Sequence, residues 1–403
     1  MSWGDVAQER LTEIAKCSLD GPGVTRFPFS DEHRRALPLI RGWMERAGLS
    51  PQLDAAGTLV GRAGGEGPAV LIGSHQDSVR NGGRYDGIMG VALACLALEK
   101  LRADGKSPGF PVEVLAFADE EGVRFPTALL GPRALAGTVD PAVMEMTDRN
   151  GVSLGDALKD FGGDPARITS LARRPEETRA YLEVHIEQGP VLETMDQPVG
   201  IVTEICGIER NSIRFRGTTG HAGTVPMAGR ADALVAAADF ISFVHDQARE
   251  TTDLRATVGT LGVTPNVANG IPELAELTLE IRAPKDDRRR VFFDRMDTEA
   301  KRIAARRGVR YTCKRTYEQV AVPCGADLIT RLTRAVAAIG QAPVTLTSGA
   351  THDASAMADL CDIGMLFVRC KDGLSHRPEE FAEAGDMGIA IDALAQTLLA
   401  LGD

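Results

Sequence analysis

The sequence predicts an α/β protein, in which a mixed-sheet α/β domain carries an inserted α+β domain. Three observations predict it. Short apolar runs alternate with amphipathic stretches through both ends of the chain. The polar clusters fall at the ends of those runs. The stretch from about 209 to 320 follows a different rhythm of alternating strands and long helical patterns.

In chain order, AVLIGSH (69–75) reads as a buried strand, and 87–101 as a helix with an apolar face. VEVLAFAD (112–119), LEVHIE (182–187) and GMLFVRC (364–370) read as three more strands. In the different stretch, NSIRFRG (211–217) and AELTLEIRA (275–283) alternate like half-buried strands. Two helical patterns accompany them, at 230–250 and 288–308, and a further helix is expected at 326–340. The expected division is therefore 1–208 with 321–403, and 209–320 inserted between. In open α/β sheets ligands bind beyond the carboxyl ends of the strands, which is where the polar clusters lie.

The chain has 403 residues, a length that suggests two domains or three. Its 43% hydrophobic and 25% charged residues suit a globular protein with a sizeable core. A net charge of −11 argues against a nucleic-acid partner, which normally meets a basic surface. The longest apolar run, Ile88 to Leu98, is about half of the roughly 20 residues a membrane span needs. No membrane partner is expected. The start lacks an apolar targeting segment, and seven scattered cysteines form no C-x-x-C pair. A reducing, cytoplasmic location follows as the expectation.

Four clusters carry chemistry. In GSHQDSVRNGGRYDG (73–87), His75 and Asp77 share a face if the strand continues, so a carboxylate can hold one ring nitrogen while the other faces a metal. Asp86 returns on a glycine-rich loop. In FADEEGVRF (117–125), Glu120 and Glu121 follow an apolar strand, and neighbours in a strand face opposite ways. EVHIEQGPVLE (183–193) sets His185 inside an apolar strand, where a plain core histidine is the alternative. GLSHRPEE (373–380) contains His376, with a helix start bearing first-turn acids as its plainer reading. GVSLG (151–155) matches a nucleophile elbow, but the polar MTDRN before it is no strand, so Ser153 is rejected as a nucleophile.

Taken in order, His75, Asp86, Glu120-Glu121, His185 and His376 resemble the M20 family of dinuclear metallohydrolases over nearly the whole chain. Within it they resemble the branch of N-carbamoyl-amino-acid amidohydrolases, β-ureidopropionases and allantoate amidohydrolases. The marks of that branch are HIEQGP, with a histidine where the peptidases have an acid, GHAGTVPMAGRADA (220–233), PNVANGIP (265–272) and LEIRA (279–283).

The resemblance implies two divalent ions per subunit, Zn²⁺ first, with Mn²⁺, Co²⁺ or Ni²⁺ as alternatives. His75 and His185 would hold one ion, Glu121 and His376 the other, and Asp86 would bridge. Glu120 would be the general base and Asp77 the partner of His75. The inserted domain would be a lid and dimerisation module, with His221 donating to the oxyanion from the partner subunit of a homodimer. Asn269 and Arg282 would grip a substrate carboxylate, and His352 would bind substrate or support the site. The expected substrate is a small ureido or carbamoyl acid, an N-carbamoyl-L-amino acid first and allantoate or a ureido acid second. A dipeptidase of the same family and a catalytically dead binding fold are the readings of other kinds. The chain departs from the branch at NGIPE, at Glu280 where an aspartate is expected, at GPR (131–133), and at Ile208 in place of the glutamine of allantoate enzymes.

Overall fold

A computed structural model describes residues 1–402. The strands, in chain order, are β1 Ser50–Leu53, β2 Leu59–Ala63, β3 Ala69–His75, β4 Val112–Phe117, β5 Thr178–Ile186, β6 Val199–Ile205, β7 Gly207–Arg216, β8 Arg255–Thr264, β9 Leu274–Ala283, β10 Arg310–Gln319, β11 Val322–Pro323, β12 Thr345–Ser348 and β13 Ile363–Val368. The chain divides into two compact units. One comprises Met1–Thr203, Pro323–Leu346 and the chain from Ala350 onward; the other comprises Glu204–Val322 and Thr347–Gly349.

The first unit is built on a mixed sheet in the order β1-β2-β4-β3-β5-β13-β6-β11, with β12 also paired to β6. Its centre is parallel: β4, β3, β5 and β13 run the same way, while β2 and β6 are antiparallel to their inner neighbours. Every residue of β3, β4 and β13 is buried, as expected of parallel strands covered on both faces. Helix Ile88–Ala103 packs into this core. Its first eleven residues are all buried, and Lys100 and Arg102 in its last turn favour the negative end of the helix dipole. Trp43, Ile72, Leu366 and Ile391 join the same core, and each large side chain buried there contributes about 1.5–3 kcal/mol.

The second unit is a four-stranded antiparallel sheet in the order β10-β7-β9-β8. Along β9 the buried residues alternate strictly, with Leu277, Leu279 and Ile281 facing a core shared with Phe240 and Met296. Those two side chains come from helices Ala233–Glu250 and Asp286–Arg307. Glu280 and Arg282 therefore sit on the opposite face of β9.

Several boundaries differ from the sequence expectation. β4 stops at Phe117 because Asp119 adopts a positive φ of 60°, which breaks the extended chain. β5 begins earlier than expected, at Thr178. β8 and β10 were not anticipated, since both are edge strands with mostly exposed or half-buried side chains and no apolar run to reveal them. GVSLG proves to be a helix start: the Ser153 hydroxyl caps helix Leu154–Phe161 by accepting from the Asp156 amide. Among the described residues, no helix is long and apolar enough to cross a membrane.

Candidate metal centre

The first unit brings together His75, Asp86, Glu120, Glu121, His185 and His376, all at or beyond the carboxyl ends of β3, β4, β5 and β13 or on the loop leading into helix Ile88–Ala103. One group of potential ligand atoms comes from His75, Asp86 and His185, and another from Asp86, Glu121 and His376. Within each group the atoms lie inside 4.8 Å of one another, and Asp86 is common to both. Asp86 Oδ1 is 3.2 Å from His185 Nε2 and 3.7 Å from His75 Nε2, while its Oδ2 is 3.2 Å from His376 Nε2. Glu121 Oε1 is 3.8 Å from His376 Nε2.

Local structure aims these atoms. His75 Nδ1 is 3.0 Å from the Asp77 carbonyl, and His185 Nδ1 is 2.9 Å from the Ile186 carbonyl. Each Nδ1 therefore carries the proton it donates, so Nε2, which faces Asp86, is the nitrogen each ring would offer a cation in its neutral form. Gly87, at φ 66°, closes the loop against the ring: a Cβ there would come within 2.4 Å of His75.

Asp77 meets His75 through its backbone as well as its charge. β3 ends at His75, so Asp77 lies beyond the strand, and the acceptor for His75 is the Asp77 carbonyl rather than its carboxylate, which is 3.7 Å away. The fully buried carboxylate instead accepts the amides of Glu120 and Glu121, at 3.2 and 3.3 Å, and shapes the turn that presents both glutamates. The two glutamates also lie past the end of their strand. They converge with His75 on one point, inside 4.8 Å, instead of facing opposite ways.

The electrostatics are those of acids crowded out of water. Burial, reinforced by Asp353, Asp77 and Asp86, pushes the Glu120 carboxyl well above the ordinary range. Burial and Asp86 do the same to Glu121, whose Oε1 is buried without a hydrogen-bond partner. Asp86 goes the other way: burial opposes its charge, but bonds from His185 and His376 outweigh it and hold the carboxyl well below its usual value. Burial likewise opposes the charge of His185, yet Asp86 raises it to about 9. An orphaned carboxylate oxygen, two outward imidazole nitrogens and a shared aspartate form a donor set that fits divalent cations.

His352 is 1% exposed, and its ring packs edge-on to His185 at 4.5 Å and against Phe367 at 5.6 Å. It also forms a donor group with Glu183 and His185. Glu183 escaped the sequence reading, although it sits two residues before His185 on the same face of β5. It is buried and accepts from the Ser74 hydroxyl, the Tyr181 hydroxyl and the Ala354 amide. Gln188 was also passed over, though it lies within HIEQGP, and its amide is 3.3 Å from both oxygens of Asp86.

In the second unit, His221 and Asn269 are neighbours. His221 bridges to Gly270, and the Ala222 amide donates to the Asn269 carbonyl at 2.8 Å. Both side chains are exposed. Arg282 pairs with Glu280 at 2.8 Å and donates to the Gly349 carbonyl at 2.7 Å, so its neighbour is Glu280 rather than Asp286 or Asp287.

Residues 71–400 match peptidase family M20/M25/M40. The chain belongs to that family. This M20 protein is 40% identical to an N-carbamoyl-L-amino acid amidohydrolase of Geobacillus stearothermophilus, over 99% of this chain and 98% of the relative. It is 38% identical to an allantoate deiminase of Arabidopsis thaliana, over 98% of this chain and 82% of that one. Among solved structures, an amidase of the hydantoinase/carbamoylase family from Burkholderia multivorans superposes with a TM-score of 0.92 at 30% identity, covering 99% of this chain and 98% of that one.

Proposed function

We propose that this protein is a two-metal amidohydrolase that cleaves the carbamoyl C–N bond of an N-carbamoyl-L-amino acid. One water is consumed, and the amino acid, ammonia and carbon dioxide are released. The observation that carries the two-metal reading is Asp86, the carboxylate shared by the group with His75 and His185 and the group with Glu121 and His376. The substrate class rests on the full-length relatives that bear the carbamoyl-amino-acid name. Ile208, where allantoate enzymes carry a glutamine, favours that class over allantoate.

His75, His185 and Asp86 would hold one ion, and Asp86, Glu121 and His376 the other. Zn²⁺ suits the mixed donors, with Mn²⁺, Co²⁺ or Ni²⁺ as alternatives. Bound there, the ions supply Lewis acidity at the scissile carbonyl and bring a water's pKa toward neutrality. Glu120 takes the proton from the attacking water and passes it to the leaving nitrogen. Asp77 holds the Glu120-Glu121 turn in place. Asn269 and Arg282 take the substrate carboxylate, Arg282 by two charge-assisted hydrogen bonds. His352 supports the His185 ring.

The second unit acts as lid and dimerisation module, and His221 of each chain serves the partner's site in a homodimer. β8 supports this: it is an edge strand, and Leu261 on it is 46% exposed. A cytoplasmic location accords with seven free cysteines. The test is an ammonia-release assay over N-carbamoyl-L-amino acids, their amidated forms, allantoate, β-ureidopropionate and a set of dipeptides. Release from the free carbamoyl acids above all others is expected. Dipeptide cleavage without ammonia release would make the protein a peptidase instead.

A further inference from the structure

The last of the four sequence clusters holds more than a ligand. Its acids do not open a helix, since the next helix begins at Ala384. Glu379 is exposed and pairs with Arg377, whereas Glu380 turns inward and is only 3% exposed. One oxygen of Glu380 accepts the amides of Tyr85 and Asp86, each at 3.0 Å. The other accepts the Ser375 hydroxyl at 2.8 Å. Ser375 Oγ in turn accepts the Gln188 amide at 3.1 Å, and the same amide nitrogen reaches both oxygens of Asp86 at 3.3 Å. The backbone and the carboxylate of Asp86 are thus held by one connected set of side chains.

Three further observations point the same way. Gly83 makes the approach feasible, because a Cβ there would come within 2.1 Å of Glu380 Oε1. Gln188 and His376 both hold a φ of 58°, a backbone strain that persists only where the surroundings enforce it. The His376 side chain is 51% exposed, and among the described residues no carbonyl holds its ring as one holds His75 and His185. It stands on an irregular loop, so its position has to come from the residues around it.

We propose that Glu380, Ser375 and Gln188 form a brace that sets the bridging Asp86 and the exposed His376 in register, with Glu380 as the positioning residue at its centre. The proposal rests on the two-ion reading above. Glu380 touches no reacting atom; it acts through the Asp86 loop and Ser375. Groups that orient metal ligands typically change metal affinity by about 10–100-fold when removed.

The test uses full-length, metal-free wild type, Glu380→Ala, Glu380→Gln and Ser375→Ala, each titrated with Zn²⁺ against a chromogenic chelator, with melting of the metal-free proteins in parallel. The expected result is two ions on the wild type, and at least one bound about 10–100-fold less tightly by both alanine variants. Glu380→Gln should restore most of that affinity, because its amide oxygen still accepts the Tyr85 and Asp86 amides. A merely structural role would lower the melting point and leave Zn²⁺ affinity alone. If Glu380→Ala fails to fold, Ser375→Ala decides. Wild-type affinity for both ions in every folded alanine variant overturns the brace. A wild type that binds fewer than two ions overturns the two-ion reading, and the brace with it.

Discussion

Glu120 and Glu121 are adjacent and chemically identical, Glu120 buried and Glu121 partly buried, and the proposed function gives them different work. Glu121 belongs to two donor groups, one with Asp86 and His376 and one with His75 and Glu120; Glu120 belongs only to the latter. Glu121 also keeps a buried oxygen without a hydrogen bond, as a ligand waiting for a cation would. Glu120→Gln keeps the volume and the Asp77-bound amide but cannot accept a proton. Its kcat should fall by roughly 10² to 10⁴, about 3–5 kcal/mol of barrier, with two ions still bound. Glu121→Gln should lose metal affinity beyond the roughly 10–100-fold typical of a group that only orients a ligand. Steady-state ammonia release and elemental analysis of the same gel-filtered samples measure both quantities. If Glu120→Gln loses its metal and Glu121→Gln keeps it, the two roles are exchanged and the assignment is wrong.

Three more outcomes are expected. In the proposed homodimer, His221→Ala and Glu120→Ala should each be nearly inactive, and refolding them together should return roughly 25% of wild-type activity, because half the dimers would be mixed and each would then have one whole site; no recovery despite proven subunit exchange would show that His221 acts within its own chain or only supports the fold. Arg282→Lys should raise KM strongly, since a lysine cannot form the paired contact with a carboxylate; amidated substrates cleaved as well as free acids would remove Arg282 from that role. Burial, with Arg26 nearby, depresses His33 to about 3 from an ordinary 6.5, and its Nδ1 accepts the Phe29 amide at 3.0 Å. The unfolded chain therefore takes up this proton first on acidification: the stability is full above pH 6.5 and is lost as pH falls toward about 3, by about 1.4 kcal/mol per pH unit. Urea midpoints for His33→Gln should fall less steeply over that window, and a slope equal to the wild type's would contradict the assignment.

The sequence was most readable where function and fold coincide. β3, β4 and β13 are mostly apolar because both their faces are covered, and the donors stand at or beyond their ends. His75, Asp86, Glu121, His185 and His376 could therefore be named by position, and the structure brings them within reach of one another. What the sequence did not reveal depends on contacts between distant segments. Nothing local shows that Glu380 will turn from solvent to meet the amides of Tyr85 and Asp86, 295 and 294 residues away. Nothing local shows that Asp77 will bond to the Glu120 turn, because that needs β3 and β4 to lie side by side. β8 and β10 carry too few buried side chains for periodicity to register them.

The central claim is that hydrolysis needs two cations sharing Asp86. The direct measurement is a titration of metal-free enzyme with Zn²⁺, following bound metal and ammonia release from an N-carbamoyl-L-amino acid on the same samples, with Asp86→Ala alongside. Activity should rise from nothing and saturate as the second equivalent binds, and Asp86→Ala should hold neither ion tightly and stay inactive. Full activity in the metal-free protein, or two tightly held ions in Asp86→Ala, would contradict the account.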